Sequence, residues 1–154
     1  MKCGLVLEGG ALRTIFSSGV CDAFLEGNIS ADYVVGVSAG IAYGVSYVSK
    51  QPKRNLELVT RYASDRRYMG IRNLLNPRNR SYFGLDFVFR QIPEELLPFD
   101  YKTFAAFPGT MEAVVTDMAT GQANYLSVPR DAGGEQYGSS GELRAAADVS
   151  CLSY

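Results

Sequence analysis

Short apolar runs, glycine turns and helical stripes alternate along the first fifty residues. Cys3 to Leu7 is a brief apolar run with glycines behind it, the pattern of a buried strand. From Thr14 to Glu26 small and apolar residues recur at helical spacing. Ile15, Gly19 and Ala23 form one i, i+4 stripe, and Phe16, Val20 and Phe24 form the adjacent one. Gly27-Asn28 then supplies a stop. Tyr33 to Val37 predicts a second strand, and Ala39 to about Ser49 the helix after it. Strand, glycine turn and helix, twice over, is the pattern of a parallel α/β sheet.

The second half is more broken. Residues 53–63 predict a helix with Leu56 and Val59 on one side. Arg72 to Arg80 holds Asn73, Asn76, Pro77 and Asn79 and reads as loop. Leu85 to Arg90 and Pro93 to Leu97 predict two short helices, and Pro98 and Pro108 interrupt the chain beyond them. Met111 to Asp117 and Gln122 to Val128 predict two strands joined through Ala119-Thr120-Gly121 as a hairpin. Pro129 to Gly141, rich in glycine, serine and charge, predicts a surface loop, and Ser140 caps a last helix through about Val149. No further strand comes after it to close another βαβ unit, so the expectation is one partial domain over residues 1–154, cut short at its C-terminus.

A length of 154 residues, 47% hydrophobic and 20% charged, suits a soluble globular chain with a real core. No apolar run approaches the roughly 18 residues of a membrane span. Met1-Lys2 leads directly into a strand, without the apolar region of a signal peptide, so the expected location is cytoplasmic, in part peripheral to a membrane. Cys3, Cys21 and Cys151 are far apart, there is no C-x-x-C and no histidine, which argues for buried reduced thiols and for no metal and no cofactor.

Charge is uneven. Lys50, Lys53, Arg54, Arg61, Arg66, Arg67, Arg72, Arg78 and Arg80 face only Glu57 and Asp65 between residues 50 and 80, although the whole chain carries a net charge of −1. Tyr62, Tyr68, Met69, Ile71, Leu74 and Leu75 interleave them, a mixture suited to an anionic membrane surface. A solvated helix face with local ion pairs has the same composition. Nucleic acid is disfavoured, because the chain is slightly acidic and has no recognition motif. Nothing in the pattern specifies an oligomeric state.

Two turns carry the candidate chemistry. Gly36-Val37-Ser38-Ala39-Gly40 reads G-x-S-x-G between a strand and a helix, where a serine hydroxyl can project above the sheet at a helix N-terminus. The same five residues also make a tight βα turn that only packs, and the residues alone leave both readings open. Glu8-Gly9-Gly10-Ala11-Leu12-Arg13 opens the preceding helix and exposes backbone N–H groups. A dinucleotide site is disfavoured because Ala11 and Thr14 stand where G-x-G-x-x-G needs glycines. An oxyanion hole suits the segment better, since one such donor is worth about 2.7–4 kcal/mol of barrier. With no histidine in the chain, Ser38 cannot belong to a Ser-His-Asp triad.

Gly9-Gly10-Ala11-Leu12-Arg13, then Gly36-Val37-Ser38-Ala39-Gly40, then Val114-Val115-Thr116-Asp117 before Thr120-Gly121 resemble a bacterial patatin-like phospholipase over roughly residues 3–152. The resemblance implies a three-layer α/β/α fold with a mainly parallel central sheet, here incomplete at its C-terminus. It implies a lipid ester substrate and a serine acyl hydrolase that uses a Ser-Asp dyad. Ser38 would be the nucleophile, Gly9, Gly10 and Ala11 would form the oxyanion hole, Arg13 would order that loop, and Gly36, Val37, Ala39 and Gly40 would shape the elbow. Leu143-Arg144-Ala145-Ala146-Ala147 resembles the helix before the family's last catalytic motif, D-G-[GA]. No Asp-Gly-Gly or Asp-Gly-Ala occurs in the sequence. Asp131 precedes that helix and Asp148 lies within it, so neither takes the aspartate role, and a fragment inactive on its own is expected. The alternative is a non-catalytic lipid- or protein-binding fragment of the same fold, and a product of an interrupted reading frame is a third reading. Thr14 stands where the family usually has glycine; if that position requires positive φ, strain on the order of 1–3 kcal/mol would shift the loop.

Overall fold

The computed structural model describes residues 2–75, 81–117 and 119–128. Strands β1 (Gly4–Leu7), β2 (Tyr33–Val37), β3 (Thr110–Thr116) and β4 (Ala123–Ser127) lie side by side in that order. β1 and β2 are parallel, with Leu7 opposite Gly36, and β2 and β3 are parallel, with Val37 opposite Val114. β3 and β4 form the expected antiparallel hairpin. Asp117 closes its turn by accepting the backbone N–H groups of Ala119 and Thr120 at 2.8 and 3.0 Å.

Helix α1 (Ile15–Glu26) returns the chain from β1 to β2, and α2 (Ala39–Val48) leaves β2. The path back to β3 includes α3 (Arg54–Tyr62), a π-helical segment (Phe87–Leu96) and α4 (Tyr101–Ala105). Right-handed crossovers between strands added in one direction place their helices on one face. Burial agrees: Leu7, Val34, Met111 and Ala113 pack with Ile41, Val45 and Val48 of α2. Val6 points to the opposite face and is 78% exposed. The architecture is a mainly parallel sheet with one helical layer of a three-layer α/β/α fold, as expected. Among the described residues no helix is long and apolar enough to cross a membrane.

α2 carries no charged residue and is buried from Gly40 to Val48, apart from half-buried Ala42. Its backbone and hydroxyls must therefore find partners inside. Asn55 on α3 supplies them. Its Nδ2 donates to the Tyr43 carbonyl at 3.0 Å and to Ser18 Oγ at 2.8 Å, while its Oδ1 accepts from Ser46 Oγ at 2.8 Å. One amide thus ties α1, α2 and α3 together.

That network explains where the stripes on α1 depart from expectation. The buried face runs through Thr14, Ser18 and Cys21, not through Phe16 and Val20, and Phe16 is 80% exposed. Small side chains let α1 approach α2 closely, and Ser18 satisfies Asn55. On α3 the inward residues are Arg54, Asn55 and Leu58, while Leu56 is exposed. Part of the loop expected over 72–80 is a 3₁₀ turn, Ile71–Leu75; the rest of it lies outside the described residues. The two short helices expected at 85–90 and 93–97 are joined by the π-helical segment. Pro93 sits inside it, where the wider winding relieves the ring–carbonyl clash of an α-helix. Cys21 is buried, and burial pushes its thiol up to about 11, whereas Cys3 is exposed, contrary to the expectation of buried thiols. The loop at 129–141, the helix expected after Ser140, Asp131, Asp148 and Cys151 lie outside the described residues.

Asn55→Ala leaves Ser46 and the Tyr43 carbonyl without their buried partner. The expected loss is about 1–3 kcal/mol, read as a lower Tm and urea midpoint by circular dichroism, with Leu56→Ala on the exposed side of the same helix nearly neutral.

Candidate active site

The two motifs meet at the carboxyl ends of β1 and β2. Because Leu7 pairs with Gly36, both strands end at the same level, and the turns after them emerge together. The turns are then pressed into contact by missing side chains. A Cβ on Gly40 would stand 2.4 Å from the Leu7 carbonyl oxygen and 2.6 Å from that of Glu8. A Cβ on Gly36 would stand 2.6 Å from the Ile41 nitrogen. A Cβ on Gly9 would stand 3.2 Å from Ser38 Cβ. Only glycine at 36 and 40 permits helix, strand and loop to approach this closely.

Ser38 is the residue that turns the corner. Its φ of 50° and ψ of −125° lie outside the regions favoured by residues bearing a Cβ. Such a conformation costs about 1–3 kcal/mol and persists only where its surroundings enforce it. Here the flanking glycines enforce it. Ser38 heads α2 and is half-buried, and its carbonyl accepts the Ala42 N–H at 3.3 Å. The first turn of α2 therefore directs its N–H groups and positive dipole end toward the serine.

Beside it, residues 8–11 form an open loop before a 3₁₀ turn, Ala11–Thr14. Gly10 has φ 167° and Ala11 has φ 48°, so the strained position in this loop is Ala11. Thr14 has φ −62° and ψ −9°, ordinary right-handed geometry, so the strain considered for it does not arise. Thr14 is buried, and its hydroxyl has no hydrogen-bond partner among the described residues. Arg13 has an exposed side chain, and its backbone N–H donates to the Gly10 carbonyl at 3.0 Å.

Ser38, Ala11 and Leu12 open onto a cavity of about 140 Å³. One wall is α2, through Ala39, Ala42, Tyr43 and Val45, and α3 adds Arg54 and Leu58. The facing wall comes from Tyr68, Phe83, Leu85, Val88, Phe89 and Pro93. A two-rung ladder supports that wall: Gly70 N–H donates to the Tyr82 carbonyl at 2.9 Å and Gly84 N–H to the Tyr68 carbonyl at 3.0 Å. A Cβ on Gly84 would fall 1.9 Å from the Arg67 carbonyl oxygen, so the ladder needs glycine there. Arg67 in turn stacks over Phe87 at 4.3 Å and pairs with Asp65, whose carboxyl it holds below the usual range. The lining is mainly apolar. Besides Ser38, its polar exceptions are Tyr43 and Tyr68, hydrogen-bonded to each other with phenols raised by burial, and Arg54, whose guanidinium is shifted down by burial.

A second, wider cavity lies at the opposite ends of β1 and β2, lined by Cys3, Asp32, Tyr33 and Thr110 among others. Ligands of parallel sheets bind at the carboxyl ends of strands, so the cavity beneath Ser38 is the candidate site. Among the described residues no three Cys, Asp or Glu side chains gather as a metal-ligand set. The structure thus brings together Ser38, Gly9, Gly10, Ala11, Gly36, Ala39 and Gly40. Sequence reasoning sets Arg54 and Tyr68 in a membrane-facing stretch and does not single out Tyr43; the structure instead buries Arg54 and Tyr68 in this lining, because α3 and the Tyr68 segment fold back onto α2, a proximity no local pattern announces.

Gly40→Ala forces α2 away from β1. The expected cost is about 1–3 kcal/mol of stability, measured as a reduced urea midpoint, together with a Ser38 displaced from the loop. Ala39→Ser, on the adjacent position, keeps the midpoint within about 0.5 kcal/mol.

The patatin-like phospholipase family model matches residues 5–152. A 68-residue stretch is 32% identical to the uncharacterized protein YjjU of Escherichia coli (strain K12), covering 44% of this chain and 19% of that protein. The chain therefore spans about a fifth of the length of that relative. No solved structure matches the chain. With both glycine turns inside the matched region and converging on one serine, the chain belongs to the patatin-like phospholipase family.

Proposed function

We propose that this chain carries the nucleophile half of a lipid acyl hydrolase, within one partial patatin-like domain over residues 1–154. The observation that carries the reading is Ser38 itself: a strained serine at a helix N-terminus, beside a glycine loop, at the mouth of an apolar cavity. In this reading the cavity receives an acyl chain and Ser38 Oγ attacks the ester carbonyl. The proton leaves the serine for a carboxylate, and the carbonyl oxygen becomes an oxyanion facing the backbone N–H groups of Gly9, Gly10 and Ala11. The alcohol departs with that proton, and water then releases the acid. Arg13 helps order the loop, and no cofactor is required.

The partner carboxylate is the unfilled role. Patatin-like enzymes take it from a D-G-[GA] motif, and the sequence of 154 residues contains none. The reading therefore assigns the aspartate to no residue of this chain. An aspartate near its ordinary pKa of about 3.9 is a weak base and needs an apolar surrounding to act near neutrality. A fluorophosphonate requires a primed serine but no full turnover. It is expected to label the chain at Ser38, with labelling abolished by Ser38→Ala, while a short p-nitrophenyl ester is hydrolysed little above background. Absence of labelling supports the non-catalytic reading instead, a lipid- or protein-binding fragment, and robust Ser38-dependent turnover overturns the missing base.

The substrate side of the reading is a membrane. The wall of the cavity continues into the 3₁₀ turn at Ile71–Leu75, where Ile71 is 75% and Leu75 79% exposed among Arg66, Arg67 and Arg72. Apolar side chains set among cations suit the headgroup region of an anionic bilayer, each cation adding about 1 kcal/mol near the surface. Peripheral docking through residues 50–80 would present the cavity mouth to lipid. In sedimentation, vesicles containing phosphatidylserine are expected to bind the chain more than neutral phosphatidylcholine vesicles, with the difference falling in high salt and in Ile71→Asp/Leu75→Asp. Equal binding to both vesicle types removes this docking mode and leaves the acyl-transfer reading intact.

A further inference from the structure

The cavity beneath Ser38 is apolar on its walls but has a cation in its lining. We propose that it accepts acyl chains whose far end carries a carboxylate, with Arg54 recognising that end; this rests on reading the cavity as the acyl site.

Arg54 is only 8% exposed, and charged side chains are almost never buried to this extent unless paired. One guanidinium nitrogen, Nη2, donates to the Leu97 carbonyl at 2.9 Å, and the group sits 5.1 Å from the centre of the Phe99 ring. Its Nε is buried and has no acceptor among the described residues. Among the described residues no carboxylate comes within 4.0 Å of it; Glu57, one turn along α3, acts on it from farther away and is itself paired with Arg61 at 2.8 Å. Arginine keeps its charge even where burial opposes it, so the cavity lining holds a cation with one N–H unanswered. An anion arriving along an apolar channel would balance that charge, and a carboxylate matches the guanidinium fork.

The depth is also defined. Asn55, next to Arg54, is hydrogen-bonded to the Tyr43 carbonyl and to Ser46, which sets the start of α3, from which Arg54 extends, level with residues 43–46 of α2. That level is about 8–12 Å below Ser38 at the helical rise of 1.5 Å per residue. An extended chain advances about 3.3–3.6 Å for every three bonds, so roughly eight to ten bonds span the gap. The expected acyl group is of medium length and ends in an acid, the kind made by terminal oxidation of a fatty chain. The hydrogen-bonded hydroxyls of Tyr43 and Tyr68 add a second polar element to the same lining.

The test compares monomethyl octanedioate with methyl octanoate, by displacement of a fluorescent fatty-acid probe from the 154-residue chain near neutral pH. The acid-ended ester is expected to bind about tenfold tighter or more. Arg54→Lys should keep part of that preference, and Arg54→Met should bring the two esters within about twofold while still binding methyl octanoate. An Arg54 that only pins Leu97 would change Tm in both variants without any chain-end preference in the wild type. Wild-type affinities within about twofold of each other overturn the proposal, even where Arg54→Met fails to fold. If neither ester binds, or if Ala42→Phe leaves methyl octanoate binding unchanged, the acyl-site reading itself falls.

Discussion

The arrangement depends on backbone touching backbone where α2 begins. At Gly40 the helix lies directly against the carbonyl oxygens of Leu7 and Glu8, and at Gly36 the strand lies against the amide of Ile41. These contacts leave no room for a Cβ, so they set the distance between the end of β1 and the head of α2. Everything distinctive about the site stems from that distance. Ser38 has to turn through a positive φ to connect strand to helix, and the loop at residues 8–11 has nowhere to go except beside it. The strain at Ser38 and the proximity of Gly9 are consequences of one packing constraint, not two separate features.

The rest of the helical layer holds that contact in place. α2 is uncharged and enclosed, so it cannot satisfy its polar groups with water. Asn55 answers two of them and Ser18 of α1 at once, and in doing so fixes α3 and α1 against it. This is why a polar residue at the second position of α3 is buried while Leu56 beside it faces outward. Hydrophobic pattern alone ranks those two the other way. The amide belongs inside because the alternative is an unpartnered hydroxyl and carbonyl in the middle of the protein, and such groups cost more than a leucine gains by burial at that edge.

The strands, α2, the hairpin and the converging turns were legible from residues 3–49 and 111–128 because each is decided by neighbours in sequence. Tyr33–Val37 is an apolar run between turn residues, and Gly36 and Gly40 flank the serine that they strain. The errors fall where distant segments decide. On α1 the Phe16 and Val20 stripe has the right spacing for a core face, yet the inward face is Thr14, Ser18 and Cys21, since Asn55 waits on that side. At Pro93 the sequence signals a break, but the chain widens its winding and continues. The far wall of the cavity could not be read at all, for Tyr68, Phe83 and Val88 reach it only through the ladder around Gly70 and Gly84.

The same division bears on the chemistry. Ser38, the turn around it and the loop at residues 8–11 are held by contacts made within the first forty-one residues, and their geometry is set by glycines that lie next to Ser38. The proton acceptor is a different kind of part. With no imidazole in the chain, the proposed reading gives that role to a carboxylate, and a carboxylate becomes an effective base only when desolvated. Desolvation is a property of the completed enclosure and not of any turn. The glycine contacts can therefore position a serine without any base being present, whereas no base can be tuned until the walls around it exist. In the proposed reading Ser38 can therefore be held ready for attack before any base is in place, and its strained backbone bears on that readiness alone.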